Sequence, residues 1–216
     1  MPRKMNSKEH AAYWDERIPK GAAQASYDST DKETFQAFGS GIQAMRDAGL
    51  DPRPSLNPVD ATFKMAELGI GWGRMLRFMH QQLPQMEVHG FEISPRTVDI
   101  CQGLDDLKFA NLHEADHILE EYEGQFDLIW TCTVLQHIVP QDMFEKACAS
   151  IVSGLRPGGY VMMFENEVLS GSRHMRGTPK QDYLSRFPGF KWIVHTNHVM
   201  RWSEPHFFAV GRKPLG

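Results

Sequence analysis

The stretch Glu67-Leu68-Gly69-Ile70-Gly71-Trp72-Gly73-Arg74 constrains this chain more than any other. Thr62 to Ala66, ahead of it, is apolar enough for a buried parallel strand. Arg74 to Leu83, behind it, sets Met75, Leu76, Met79 and Leu83 at helical spacing. The pattern is strand, glycine turn, helix. Three glycines at alternate positions let the backbone turn tightly and approach a ligand with no side chain in the way. The N–H groups that open the following helix point at the same place and favour a carboxylate or other polar ligand group. A dinucleotide-binding turn reads G-x-G-x-x-G. Here the third glycine comes one residue early and Arg74 takes the last one's place. The turn by itself therefore fits either a ligand cradle or an ordinary tight connection.

A second block narrows the choice. Val88 to Ser94 reads as the next strand, carrying Glu92 and Ile93 at its end, and Pro95 opens the next helix. Glu92 lies about 20 residues beyond the glycines, where nucleotide-binding α/β folds place an acid on ribose hydroxyls. Its competing role is to cap the helix that starts at Pro95.

With these two blocks and two later ones the chain resembles the class I S-adenosylmethionine-dependent methyltransferases. The later blocks are Asp116-His117 before Phe126-Asp127-Leu128-Ile129-Trp130, running on to Val134-Leu135-Gln136-His137-Ile138, and then Leu155-Arg156-Pro157-Gly158-Gly159-Tyr160-Val161. The resemblance covers about Thr62 to Glu165 in order. It implies an α/β fold: a doubly wound, Rossmann-like, mostly parallel sheet of seven strands with the last antiparallel, helices on both faces and an N-terminal helical lid. It implies S-adenosyl-L-methionine as cofactor, held at Glu67, Gly69, Gly71, Gly73, Glu92 and Ile93. By the same resemblance Arg74 reaches the cofactor's carboxylate, Asp116 takes the adenine amino group, and the backbone N–H of His117 takes a ring nitrogen. Glu114 competes with Asp116, because the strand before it, Leu107 to Leu112, is poorly delimited.

Composition agrees with a single compact unit. The chain has 216 residues, 41% hydrophobic and 23% charged, ordinary for a soluble globular domain. A formal net charge of −4 disfavours a broadly nucleic-acid-binding surface. Cys101, Cys132 and Cys148 lack metal-ligand spacing and fall in expected helices or strands, so buried thiols in a reducing compartment are expected rather than disulfides. No metal site is expected. No apolar run approaches the ~20 residues of a membrane span, and the N-terminus has no apolar signal core. The expectation is a cytoplasmic protein whose partner is a small-molecule methyl acceptor; its oligomeric state is not legible.

The N-terminal residues 1–58 precede the core of residues 59–216. Lys8 to Arg17 reads as a short helix with Tyr13 and Trp14. Thr30-Asp31-Lys32-Glu33 has the capping-box pattern and opens a helix with Phe35, Phe38, Ile42 and Met45 on one face, stopped by Gly49. This segment either lids the site, with Trp14, Arg17 and Tyr27 toward the substrate, or covers the sheet. After Glu92 come a helix from Pro95 to Gly103 and a clear central strand from Phe126 to Thr133. A helix follows Pro140 with a core stripe at Met143, Ala147, Ile151 and Leu155, then a strand from Tyr160 to Phe164. Thr178 as N-cap begins a helix with Tyr183, and Lys191 to Thr196 and His206 to Val210 close the sheet.

Ligands of open α/β sheets sit outside the carboxyl ends of the strands. Thr131 and Thr133 at the end of the central strand should therefore border cofactor and substrate. Methyl transfer to a hydroxyl or protonated amine needs a general base. His137 and Glu165 are the leading candidates, with His174 and His198 behind them; at His137 a structural hydrogen-bonding role competes. Arg173, His174, Arg176 and Lys180 form a basic segment that binds an anionic substrate group or is simply solvated. The reading is methylation of an oxygen or nitrogen on a small-molecule or tailoring substrate. Its rivals are a protein or peptide N-methyltransferase and a non-catalytic S-adenosylmethionine-binding subunit.

Overall fold

The computed structural model describes residues 5–21, 29–49, 63–167, 171–199 and 205–216. Seven strands form one sheet: β1 (Lys64–Leu68), β2 (Glu87–Glu92), β3 (Ala110–Glu114), β4 (Phe126–Cys132), β5 (Leu155–Asn166), β6 (Lys191–Val199) and β7 (Pro205–Arg212). Their order is β3-β2-β1-β4-β5-β7-β6. Neighbours from β3 to β5 pair in parallel, and β7 runs antiparallel to both β5 and β6. The chain leaves β1 toward β2 and β3, then returns to lay β4 on β1's other side. That reversal is the topological switch point, where a crevice opens at the carboxyl ends of the strands.

Side chains alternate across each strand and feed two cores. On one face Met65, Val88, Leu128, Trp130 and Met162 meet Phe38, Ile42 and Met45 of helix α2 (Ser29–Asp47) and Met75, Leu76 and Met79 of α3 (Arg74–Gln82). Cys101 of α4 (Pro95–Gln102) joins them. On the other face Ala66, Leu68, Ile129, Val161 and Met163 meet Phe144, Ala147 and Ile151 of α5 (Gln141–Gly154), with Tyr183 of α6 (Lys180–Leu184). The continuous apolar runs of β4 and β5 are continuous because both faces are buried. Cys101 and Cys148 are buried, and all three cysteines are free thiols.

Several boundaries differ from the sequence expectation. β1 runs on to Leu68, because Glu67 pairs with Gly90 and Leu68 with Phe91 before the glycines turn. β3 starts at Ala110, not Leu107: Asp105–Leu107 forms a 3-10 turn that sinks Leu107 into the core. α2 opens at Ser29, which places Thr30 inside the helix rather than at its cap. The last helix opens one residue later than expected, with Pro179 as N-cap and Thr178 buried. β5 begins at Leu155 and bulges against β4 before Tyr160.

The two N-terminal helices take different positions. α2 packs on the sheet face. Helix α1 (Ser7–Gly21) instead lies across the carboxyl ends of the strands, touching α4 and the loop that follows β4.

Candidate active site

The glycine turn is held by contacts that leave one of its positions open. Gly69 and Gly71 both have left-handed φ, 75° and 50°. A Cβ on Gly69 would sit 2.2 Å from a methyl of Val134, whereas one on Gly71 would meet nothing within 4 Å. Gly69 is therefore small for packing, and Gly71 is small above free space. Gly73 backs onto Leu107. The turn is braced from behind. Arg77 donates through Nη1 to the Trp72 carbonyl, while its Nε and Nη2 reach Asp106 at 2.7 and 3.0 Å.

Glu92 comes to the open side. The Gly71 N–H donates to its Oε2 at 3.0 Å, and the Ser94 N–H donates to its Oε1 at 3.1 Å. A carboxylate offers about four acceptor sites, so these two bonds and that of the Ile93 N–H do not saturate it. Burial raises the Glu92 carboxyl above the ordinary range, against the pull of those N–H groups. Glu67, also buried, is pushed well above its ordinary value by burial and then by Glu92. Among the described residues its Oε2 has no hydrogen-bond partner. A protonated carboxyl there can donate to a ligand. Ile93 is half-buried against the second core. Arg74 opens α3 on the exposed side, close enough for its charge to act on Cys132 at the end of β4.

Asp116 and His117 follow β3. The Ala115 N–H donates to the Glu92 carbonyl at 2.9 Å, which carries the chain from β3 to the end of β2. Asp116 is half-buried, bonded to His117 Nδ1 at 2.5 Å, and its charge reaches His10. Glu114 belongs to β3 and is exposed. Asp116 therefore lies past the end of β3, and Glu114 within it, paired with Glu92.

At the end of β4, Thr133 has a left-handed φ of 53°, and its N–H donates to the Phe164 carbonyl at 2.7 Å. A β-branched residue in that region is strained, and such strain gathers at functional sites. At the end of β5, Glu165 is fully buried and takes the N–H groups of Val134 at 3.2 Å and Gln136 at 3.3 Å. Its carboxyl is pushed up to about 7 by burial, which outweighs those N–H groups. Thr131 is buried beside it. Glu165 thus lies buried beneath the loop it holds.

His137 ends the 3-10 turn Leu135–His137. Its Nδ1 lies 2.9 Å from the carbonyl of His174, and its ring meets the Trp14 ring edge-on at 5.0 Å. Tyr13 stacks on His174 at 5.5 Å. The Trp14 indole N–H donates to His10 Nε2 at 3.2 Å, and Ser94 Oγ donates to Asp15. α1 therefore bridges the Ser94 turn after β2 and the 171–177 loop. His10, Tyr13 and Trp14 reach there together because residues three and four apart share a helix face. The spacing of His10 is legible in the sequence, whereas the contacts of Gln136 and Asp15 come only from the fold.

Of the basic segment, Arg173 is exposed, while Arg176 is committed to the fold. Arg176 donates to the Ile138 and Val139 carbonyls at 3.2 Å and lies 4.1 Å over the Phe144 ring. Tyr27 and the side chains of Arg17 and His198 lie outside the described residues. Among the described residues no cluster of three or more His, Cys, Asp or Glu is arranged for a metal, and no helix is long and apolar enough to cross a membrane.

Residues 66–161 match the family model described as a methyltransferase domain. No curated protein matches the chain in sequence. Solved structures share its fold at low identity. The [4+2]-cyclase SpnF aligns with a TM-score of 0.70 at 14% identity, over 100% of this chain and 99% of that one. The N-methyltransferase NodS from Bradyrhizobium japonicum WM9, in complex with S-adenosyl-l-homocysteine, aligns with a TM-score of 0.70 at 13% identity, over 95% and 98%. The Burkholderia thailandensis 1,6-didemethyltoxoflavin-N1-methyltransferase, with its substrate and S-adenosylhomocysteine bound, aligns with a TM-score of 0.67 at 14% identity, over 99% and 93%. Residues 66–161 thus resemble a methyltransferase domain, and the strand order of the whole sheet is the fold shared with these structures.

Proposed function

We propose that this protein is an S-adenosylmethionine-dependent methyltransferase acting on an oxygen or nitrogen of a small-molecule or tailoring substrate. The observation that carries the reading is the junction of Gly71 and Glu92 at the switch point, with open space above Gly71 and acceptor positions left on Glu92. S-adenosylmethionine supplies an electrophilic methyl carried on sulfur, and the protein supplies binding and orientation. Glu92 takes the ribose hydroxyls, with Ile93 beside it. Gly69, Gly71 and Gly73 let the backbone approach, and Glu67 and Arg74 take the amino-acid end. Asp116 and the His117 N–H take the adenine. Thr131 and Thr133 border the transferring group at the end of β4.

The acceptor side lies under α1, with Trp14 and His174 as its walls and Arg173 at its rim. A helix closed over the site by aromatic packing and the Asp15–Ser94 bond favours a small acceptor over a polypeptide. His137 faces this space. Glu165 serves it indirectly, by holding the loop that carries His137. Three free cysteines suit a reducing, cytoplasmic setting.

Calorimetry with S-adenosylmethionine and S-adenosylhomocysteine tests the cofactor, and transfer of labelled methyl to panels of amines, phenols, carboxylic acids and peptides tests the acceptor. Absence of binding overturns the reading. The likeness to a [4+2]-cyclase favours one alternative, in which the fold binds the cofactor without transferring methyl. Tight S-adenosylhomocysteine binding with no transfer to any panel, alone or with added protein partners, would point there.

A further inference from the structure

His137 presents its two ring nitrogens to partners of opposite kind. Nδ1 lies 2.9 Å from the His174 carbonyl oxygen, which can only accept, so Nδ1 carries a proton. Nε2 lies 3.3 Å from Gln136 Nε2. The orientation of the Gln136 amide is fixed independently, because its Oε1 accepts the Asn166 N–H at 2.6 Å. The other amide atom is then the NH2 donor, and His137 Nε2 must accept from it. One chain of bonds runs from the Asn166 N–H through Gln136 and His137 to the carbonyl of His174. Its direction is set at both ends by main-chain groups whose roles cannot reverse.

We propose that Gln136 is a positioning residue that holds His137 as the neutral Nδ1–H tautomer with its Nε2 lone pair occupied, so that His137 ties the 171–177 loop over the acceptor instead of taking the acceptor's proton. The same wall disposes of the other bases. Glu165 is sealed under the loop, accepting from the Val134 and Gln136 main chain. His10 Nε2 is occupied by the Trp14 N–H. His174 differs: among the described residues its imidazole makes ring contacts with Tyr13 and His137 and no hydrogen bond. It is the imidazole of this wall open to an acceptor. That last step rests on the methyltransferase reading, whereas the tautomer of His137 does not.

Long-range 1H–15N spectra of the labelled full chain read the tautomer directly, with His137→Gln giving the assignment. The wild-type protein should show a protonated, pyrrole-type Nδ1 and a pyridine-type Nε2 at His137. The reverse pattern would overturn the proposal without any variant having to fold. Gln136→Glu replaces the NH2 donor by an acceptor and should turn His137 Nε2 into a pyrrole-type nitrogen; an unchanged spectrum in the folded variant would also overturn it. Gln136→Leu removes the amide donor from Nε2 and should speed its modification by diethyl pyrocarbonate several-fold relative to the His174 ring; an unchanged rate in the folded variant would count against the proposal. S-adenosylhomocysteine titrations run alongside keep the two readings apart. Loss of binding by the wild-type protein defeats the cofactor reading and leaves the tautomer result intact.

Discussion

The main-chain N–H of Gly71 donates to the Glu92 carboxylate at 3.0 Å, joining the turn after β1 to the end of β2. The parallel register that sets Leu68 beside Phe91 makes this contact possible, since both strands then end at the same height. Glu92 is thereby a brace for the turn and, in the proposed reading, a ligand group as well. Glu92→Ala should weaken S-adenosylhomocysteine binding by about 1–3 kcal/mol, the scale of a lost charge-assisted set of hydrogen bonds. Titration calorimetry reads this. An affinity equal to the wild type would remove Glu92 from the cofactor site.

Gly69 and Gly71 give opposite outcomes on substitution. Alanine at Gly69 drives a Cβ to within 2.2 Å of Val134, so the turn or the loop after β4 must move. Gly69→Ala should cost fold stability, about 1–3 kcal/mol for overpacking. Gly71→Ala meets no atom within 4 Å. It costs only the left-handed backbone term, roughly 1–2 kcal/mol, and places a methyl where the ligand's close approach is expected. Thermal melts with and without S-adenosylhomocysteine separate them. Gly69→Ala lowers the melt itself, and Gly71→Ala abolishes the ligand's stabilisation of it. Retained ligand stabilisation in Gly71→Ala would mean the free space lies elsewhere than in the binding site.

The parts legible in the sequence are those where local pattern and tertiary demand coincide. The glycine turn, Glu92 and the apolar run of β4 needed only glycine conformational freedom, the position of an acid and the absence of polar residues. β3 was misplaced because Leu107 is as apolar as a strand residue, yet its partner is the turn and α3, which no periodicity records. Gln136 was invisible for a different reason. Its significance comes from Asn166 and Glu165, about thirty residues away, and a polar residue beside a histidine carries no pattern of its own. Glu165 looked like an acid emerging at the active face. Its full burial follows from the loop after β4, which folds over its side chain and donates the Val134 and Gln136 N–H groups to it, while its main chain pairs with Phe207 of β7.

Among the described residues helix α1 adds no side chain to either core of the sheet, so its release is expected to leave the sheet folded. Trp14→Ala removes the indole edge from His137 and the donor from His10. Aromatic contacts of this kind contribute about 0.5–1.5 kcal/mol each. Trp14→Ala combined with Asp15→Ala should speed amide exchange through Ser7–Gly21 and raise the S-adenosylhomocysteine dissociation rate. Exchange in β4 should not change. If exchange in α1 stays as slow as in the wild type, the helix is held by something other than these contacts.

Glu165 makes stability depend on pH in a direction opposite to that of an exposed salt-bridged acid. Its carboxyl is raised from 4.5 to about 7, chiefly by burial. Between those values the folded protein holds a proton that the unfolded chain has released. Stability then falls as pH rises through this window. The contribution is fully present below about 4.5 and gone above about 7. Its size is on the order of 3 kcal/mol at about 1.4 kcal/mol per pH unit. Glu165→Gln cannot titrate, so the wild-type protein should lose more stability than the variant between about pH 5 and about pH 8. Burial also raises Glu67 and Glu92, but both remain in the variant and cancel in the difference. Urea denaturation of the two proteins at both pH values measures that difference. Parallel profiles would show that the Glu165 proton is not released across this range, and that the N–H groups of Val134 and Gln136 face an already ionised carboxylate throughout.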